Sequence, residues 1–115
     1  MLYLLIIIVY KQKYLEHILS TLVEVGILNS NVLTASSLEE ALPVSVKVFG
    51  NLRLTMEGEK PFSRIILSLV DTEEVLYEID AILKESGIDI TKEKIAEILT
   101  VPISNAIGRK PYMEV

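Results

Sequence analysis

Cysteine and tryptophan are absent from this sequence, and histidine occurs once. Without cysteine there is no disulfide and no thiolate metal site. The lone histidine, His17, has no second His or Cys beside which to build a ligand set or a base. Basic residues are outnumbered, 11 Lys and Arg against 16 Asp and Glu, which leaves a formal net charge of -5. Aromatics are only 6% of the chain and do not interleave with basic residues. A phosphate backbone calls for a basic face, so nucleic acid is not an expected partner. Long apolar runs are missing too. The longest, Met1 to Tyr10, is far shorter than the roughly 20 residues of a membrane-spanning helix. It also lacks the basic start and small-residue cleavage site of a secretory leader. The expectation is no membrane insertion and a cytoplasmic location.

Half of the 115 residues are hydrophobic and the mean hydropathy is +0.44. A chain of this length forms one domain, here read as residues 1–115, with a real core and much surface left to cover. Surplus apolar area on so small a protein predicts subunit interfaces.

The apolar residues are organised by a repeat. Shifting the numbering by 61 places Leu15, Ile18, Leu22, Glu24, Gly26 and Ile27 on Leu76, Ile79, Leu83, Glu85, Gly87 and Ile88, and the run Leu4–Val9 on Ile65–Val70. Each glycine stands where a left-handed residue releases the last helical carbonyls, and each following isoleucine is set to pack back. The chain reads as one β-α-β unit written twice.

Leu2–Tyr10 is the first strand, apolar on both faces as a central strand covered on both sides would be. Helix one covers Tyr14–Val25, with Leu15, Ile18, Leu19, Leu22 and Val23 as its buried stripe and His17 off it. Strand two is Ile27–Ala35, with a turn or bulge at Asn29–Asn31. An insert follows over residues 36–62. Ser36 and Ser37, three residues before Glu39 and Glu40, make a capping box. Between 44 and 56 the alternation around Gly50-Asn51 suits a hairpin, while Val48, Phe49, Leu52 and Met56 equally line a helix face. Strand three is Ser63–Val70. Asp71 with Glu74 caps helix two, Thr72–Ser86, whose stripe is Val75, Leu76, Ile79, Ile82 and Leu83. Strand four is Ile95–Val101, ended by Pro102, with a short helical turn over Pro102–Ile107. The order βαββαβ predicts an α+β, ferredoxin-like sandwich: a four-stranded antiparallel sheet, two helices on one face, and an insert between strands two and three. Strands apolar on both sides suggest that another subunit covers the second face.

Three segments carry a resemblance. Leu22-Val23-Glu24-Val25-Gly26-Ile27, the long insert, and Ile98-Leu99-Thr100-Val101-Pro102-Ile103 followed by Asn105-Ala106-Ile107 are similar to P-II nitrogen-regulatory and P-II-like signalling proteins. Val101-Pro102-Ile103 stands where that family commonly ends its last strand in Leu-Pro-Val. Leu42-Pro43, Phe49 to Arg53 and the turn Gly58 to Phe62 look closer to a divergent P-II-like branch, in which the insert is partly helical. The resemblance implies a homotrimer with sheets facing inward and a small effector, a nucleotide among the candidates, held in clefts between subunits. It implies a regulator rather than an enzyme, with the segment 36–62 as the part that meets a target protein. No tightly bound cofactor is expected. Two family features are missing. The loop Ser86 to Lys94 has one glycine, assigned to the helix end, where nitrogen regulators cradle phosphates on glycine-rich backbone. The insert also lacks the tyrosine that is uridylylated there.

Thr34, Ser36 and Ser37 stand where strand two enters the insert, as cleft-wall hydroxyls or simple helix caps. Lys92 and Lys94 are placed to meet an anion as point charges, or are solvated loop residues. Arg64 either clamps an anion or pairs with a surface glutamate. Arg109 and Lys110 stand near the place of the family's nucleotide arginines, or form a basic tail. No Asp-x-Asp-x-Asp loop, catalytic triad or phosphate loop occurs, so neither a metal site nor catalysis is expected. The alternative class is a divalent-cation-tolerance (CutA-type) trimer, which shares the sandwich. Proteins of that kind tend to carry tryptophans and a Cys or His suited to copper.

Overall fold

A computed structural model of the chain describes residues 1–36, 38 and 62–108. Ser37, Arg109, Lys110 and the choice between helix and hairpin over 44–56 lie outside the described residues.

The apolar runs form the strands β1 (Leu2–Val9), β2 (Ser30–Ser36), β3 (Phe62–Val70) and β4 (Ala96–Ile103). Helices α1 (Leu15–Glu24) and α2 (Val75–Glu85) complete the βαββαβ order, with a 3-10 turn at Gln12–Tyr14 before α1. The four strands make one antiparallel sheet in the order β2-β3-β1-β4. This is the ferredoxin-like α+β arrangement. β1 and β3, the two repeated runs, are its inner strands.

Alternation along the inner strands sorts their side chains between two faces. Leu5, Ile7 and Val9 of β1 and Ile66, Ser68 and Val70 of β3 point to the helices and are buried. Ile18 and Leu22 of α1 and Val75, Ile79 and Leu83 of α2 close the core from above. Ile18 and Ile79, and Leu22 and Leu83, are repeat equivalents separated by 61 positions, so the internal repeat is a repeat of core sites. Ser68, where the pattern puts a polar residue inside, donates its hydroxyl to the Asn29 carbonyl at 3.1 Å. That bond offsets the cost of burying it.

Both helices end as the glycines demand. Gly26 and Gly87 have φ of +86° and +83°. Ile27 N–H donates to the Leu22 carbonyl at 2.8 Å, and Ile88 N–H to that of Leu83 at 2.9 Å. The glycine amides donate to Val23 and Lys84, completing a Schellman pattern in each copy. A Cβ at Gly87 would meet nothing within 4 Å, so the penalty of a side chain there is conformational alone. Gly87→Ala is expected to cost about 1 kcal/mol, and a urea melt with unchanged slope and lower midpoint would show it.

Several boundaries differ from the sequence expectation. β2 begins at Ser30, because Ile27 is spent packing on the core and Leu28 is exposed. In α1 Val23 is 61% exposed, and Thr21 takes the buried position, its hydroxyl donating to the His17 carbonyl at 2.8 Å. α2 starts at Val75, without the expected Asp71 cap. Glu74 N–H instead bonds the Thr72 hydroxyl at 3.2 Å, a local turn that competes with the first helical residues. β4 runs through Pro102 to Ile103, and Ser104–Ala106 forms no helical turn. β4 is an edge strand, where a residue without an N–H is tolerated.

Among the described residues nothing covers the second face of the sheet. Ile6 lies between Leu67 and Leu99, Leu4 between Leu69 and Val101, and Ile8 beside Ile65. Leu33 extends the row beyond Ile65. The residues on β1 and β3 are half-buried, while Leu33, Leu99 and Val101 are 43–46% exposed. Among the described residues no helix is long and apolar enough to cross a membrane.

Candidate functional site

The described candidate residues gather at one end of the sheet, where β1 finishes, β2 enters the insert and β3 leaves it. They form two separate groups. On the β2 side Thr34 faces Arg64 across the ladder, and the Arg64 guanidinium donates to the Thr34 hydroxyl. Ser36 is exposed at the strand end, opposite Phe62. This pairing puts Arg64 at the mouth of the insert, beside a hydroxyl that orients it.

On the far side Lys92 and Lys94 sit in the connection from α2 to β4. Strands β3 and β1 lie between β2 and β4, so at ordinary strand spacing Thr34 and Ser36 are roughly 14 Å from β4, and Arg64, on β3, roughly 10 Å from it. One chain does not join them.

The α2–β4 connection is a built loop. Asp89 accepts the Thr91 hydroxyl at 2.6 Å and the Thr91 amide at 3.0 Å. Those two bonds, with lesser help from the charges of Lys84 and Lys92, hold the Asp89 carboxyl below its usual range. A lowered folded value gives stability that is present above the unfolded pKa and lost as pH falls through the folded one. Thr91→Val is therefore expected to move the Asp89 titration upward in a carboxylate NMR series. Its stability deficit should appear at neutral pH and vanish in acid, once the carboxyl is protonated in both states. An unmoved titration would refute this.

Beyond Thr91, Glu93 and Lys94 adopt φ of 58° and 51°, a left-handed pair without glycine. Such positions cost of order 1 kcal/mol each unless neighbours hold them. Here Lys11 binds Glu93 at 3.2 Å, and the Lys94 ammonium stands 5.4 Å from the centre of the Tyr10 ring. The amides of Tyr10 and Lys11 both donate to the Ile95 carbonyl, at 2.9 and 3.3 Å, tying the loop to the end of β1.

Tyr10 also donates its hydroxyl to Glu97 Oε1 at 2.5 Å. That hydrogen bond, aided by burial and the carboxylate charge, holds the phenol above its ordinary pKa. These groups border an open groove of about 580 Å³ between α2, the loop and β4. Leu76, Ile90, Ala96 and Ile98 make its apolar lining, and Tyr77, Asp80, Lys94 and Glu97 supply its polar groups. Asp80 Oδ2 takes the Lys84 ammonium at 3.0 Å, whereas Asp80 Oδ1 is buried with no partner.

Of these groups sequence reading singles out only Lys92 and Lys94. Tyr10 and Glu97 lie 87 positions apart, and no local spacing links them. Asp80 passes as the exposed half of an i,i+4 ion pair on a helix surface. Among the described residues no group of three or more His, Cys, Asp or Glu side chains gathers as a metal site would require.

What the fold defines is the class: a ferredoxin-like α+β sandwich with a long insert at one end of its sheet. No family model matches the chain, and no curated protein matches it.

Proposed function

We propose that this chain is a P-II-like regulatory protein. Three copies pack their open sheet faces inward, and a small effector binds in the clefts between them. The segment 36–62 reports occupancy to a target protein, and the protein acts in the cytoplasm. The observation that carries this reading is the second sheet face. Leu4, Ile6, Ile65, Leu67, Leu99 and Val101 form a continuous apolar surface that crosses strands β3, β1 and β4. Isolated exposed hydrophobics are ordinary on a monomer; a contiguous sheet of them marks an interface.

The two separated groups of candidate residues also suit clefts between subunits. Thr34 and Ser36 line the β2 edge of a chain, with Arg64 reaching Thr34 from β3, and Lys92 and Lys94 lie in the loop that enters the β4 edge. Side-by-side copies would bring unlike edges together, which a single chain does not.

Sedimentation equilibrium of the full chain tests the assembly. Three times the monomer's 12.9 kDa at micromolar concentration is expected; the monomer mass would overturn it. A thermal-shift series with adenine nucleotides, cyclic nucleotides, bicarbonate and 2-oxoglutarate then tests the effector class. A ligand at about 100 times its Kd adds roughly 2.7 kcal/mol to the native state, a clear rise in Tm.

A further inference from the structure

The residues that line the groove beside Tyr10 all come from one chain. Its chemistry is mixed in a particular way. Glu97 and Asp80 bring two carboxylates, and Asp80 Oδ1 is buried without a donor. Lys94 brings an ammonium that makes no ion pair among the described residues, its contact being the face of Tyr10. Leu76, Ile90 and Ile98, with the 68% exposed Tyr77, add apolar and aromatic surface. The volume of about 580 Å³ falls in the usual range of small-molecule sites, about 300–1,000 Å³.

A simple anion entering this groove meets two carboxylates. A simple cation meets Lys94, which already occupies the ring face that would attract it. A molecule carrying both charges close together meets neither conflict. Its carboxylate pairs with Lys94 and its ammonium with Glu97, the two groups that meet Tyr10. We infer that the groove binds a free α-amino acid with an apolar side chain, the side chain lying against Leu76, Ile90 and Ile98.

The left-handed Glu93–Lys94 pair fits this role. It fixes the ammonium at the groove rim, and the Lys11–Glu93 ion pair keeps Glu93 out of competition for it.

Calorimetric titration of the full chain with L-leucine and L-phenylalanine tests the inference. Two control ligands are leucinamide, which lacks the carboxylate, and 4-methylpentanoate, which lacks the ammonium. One amino acid per chain is expected, with both controls at least about tenfold weaker, equivalent to about 1.4 kcal/mol for each lost charge. Lys94→Met keeps the backbone demand and the aliphatic stem. It should weaken L-leucine about tenfold while leaving leucinamide unchanged. Glu97→Gln should do the converse, weakening L-leucine and sparing 4-methylpentanoate. Absence of saturable binding of both amino acids at millimolar concentration would overturn the inference, as would equal binding of L-leucine and its two controls. The ligand series uses the unaltered chain, so it decides the matter even if a variant fails to fold.

Discussion

Leu67→Lys is expected to dissociate the assembly while leaving the protomer folded. Leu67 sits near the middle of the open sheet face, with Ile6 beside it on β1 and Asn31 on β2. Its side chain points away from the helices, so a lysine there projects into solvent in a free protomer and disturbs nothing in the core. In a closed trimer the same ammonium would be buried among apolar side chains, the carboxylate that the strands themselves place on this face being Glu97, opposite Ile8 on β1. An unpaired buried charge costs several kcal/mol, and symmetry applies the penalty at every copy. The sedimentation mass should fall from three times 12.9 kDa to the single-chain value. Far-ultraviolet circular dichroism should be unchanged. The Tm should drop and lose its dependence on protein concentration, because association no longer adds to stability. A variant that keeps the wild-type mass would refute the interface.

The second large effect belongs to the adjacent residue in β1 on the opposite face. Ile7 has no exposed surface and lies between Ile66 and Ile98 on the neighbouring strands. Ile7→Ala removes three buried carbon atoms and leaves a cavity that the inner strands cannot close by shifting, since each is held by ladders on both sides. A loss of about 2–5 kcal/mol is expected, a large share of the roughly 5–15 kcal/mol that a domain of this size has. Denaturant melts at a single protein concentration should show a lower midpoint with little change in slope. Ile6→Ala, one position away, is the informative partner. Its deficit should grow with protein concentration, as expected of contact between chains, whereas that of Ile7→Ala should not. Equal, concentration-independent losses at the two positions would mean that the outer face is not buried in an assembly.

That contrast between Ile6 and Ile7 is invisible in the sequence, where both belong to an unbroken apolar run. Periodicity distinguishes faces only when one of them is wet. In Leu2–Val9 both are apolar, and assigning Ile7 to the helix side requires knowing where the helices lie. A related ambiguity affects Val23, placed within the helical stripe by spacing but turned to solvent, while Thr21 is buried because its hydroxyl finds the His17 carbonyl. The Asp71 cap fails for a similar reason. A hydroxyl at Thr72 competes for the same amides, and the sequence does not say which partner wins.

Element order, the antiparallel ferredoxin-like sandwich and the two Schellman endings followed from the sequence alone. They rest on local rules: hydrophobic period, a glycine able to hold a φ near +85°, and a core pattern written twice. The tertiary structure decided everything that depends on residues meeting across the sheet. It paired Thr34 with Arg64, brought Tyr10 to Glu97 and Lys94, and left Asp80 Oδ1 without a donor at the edge of a groove. Those contacts are set by strand register and by the path of the loop from α2 to β4. Neither leaves a mark in the spacing of the residues themselves, because chemistry between distant segments has no period.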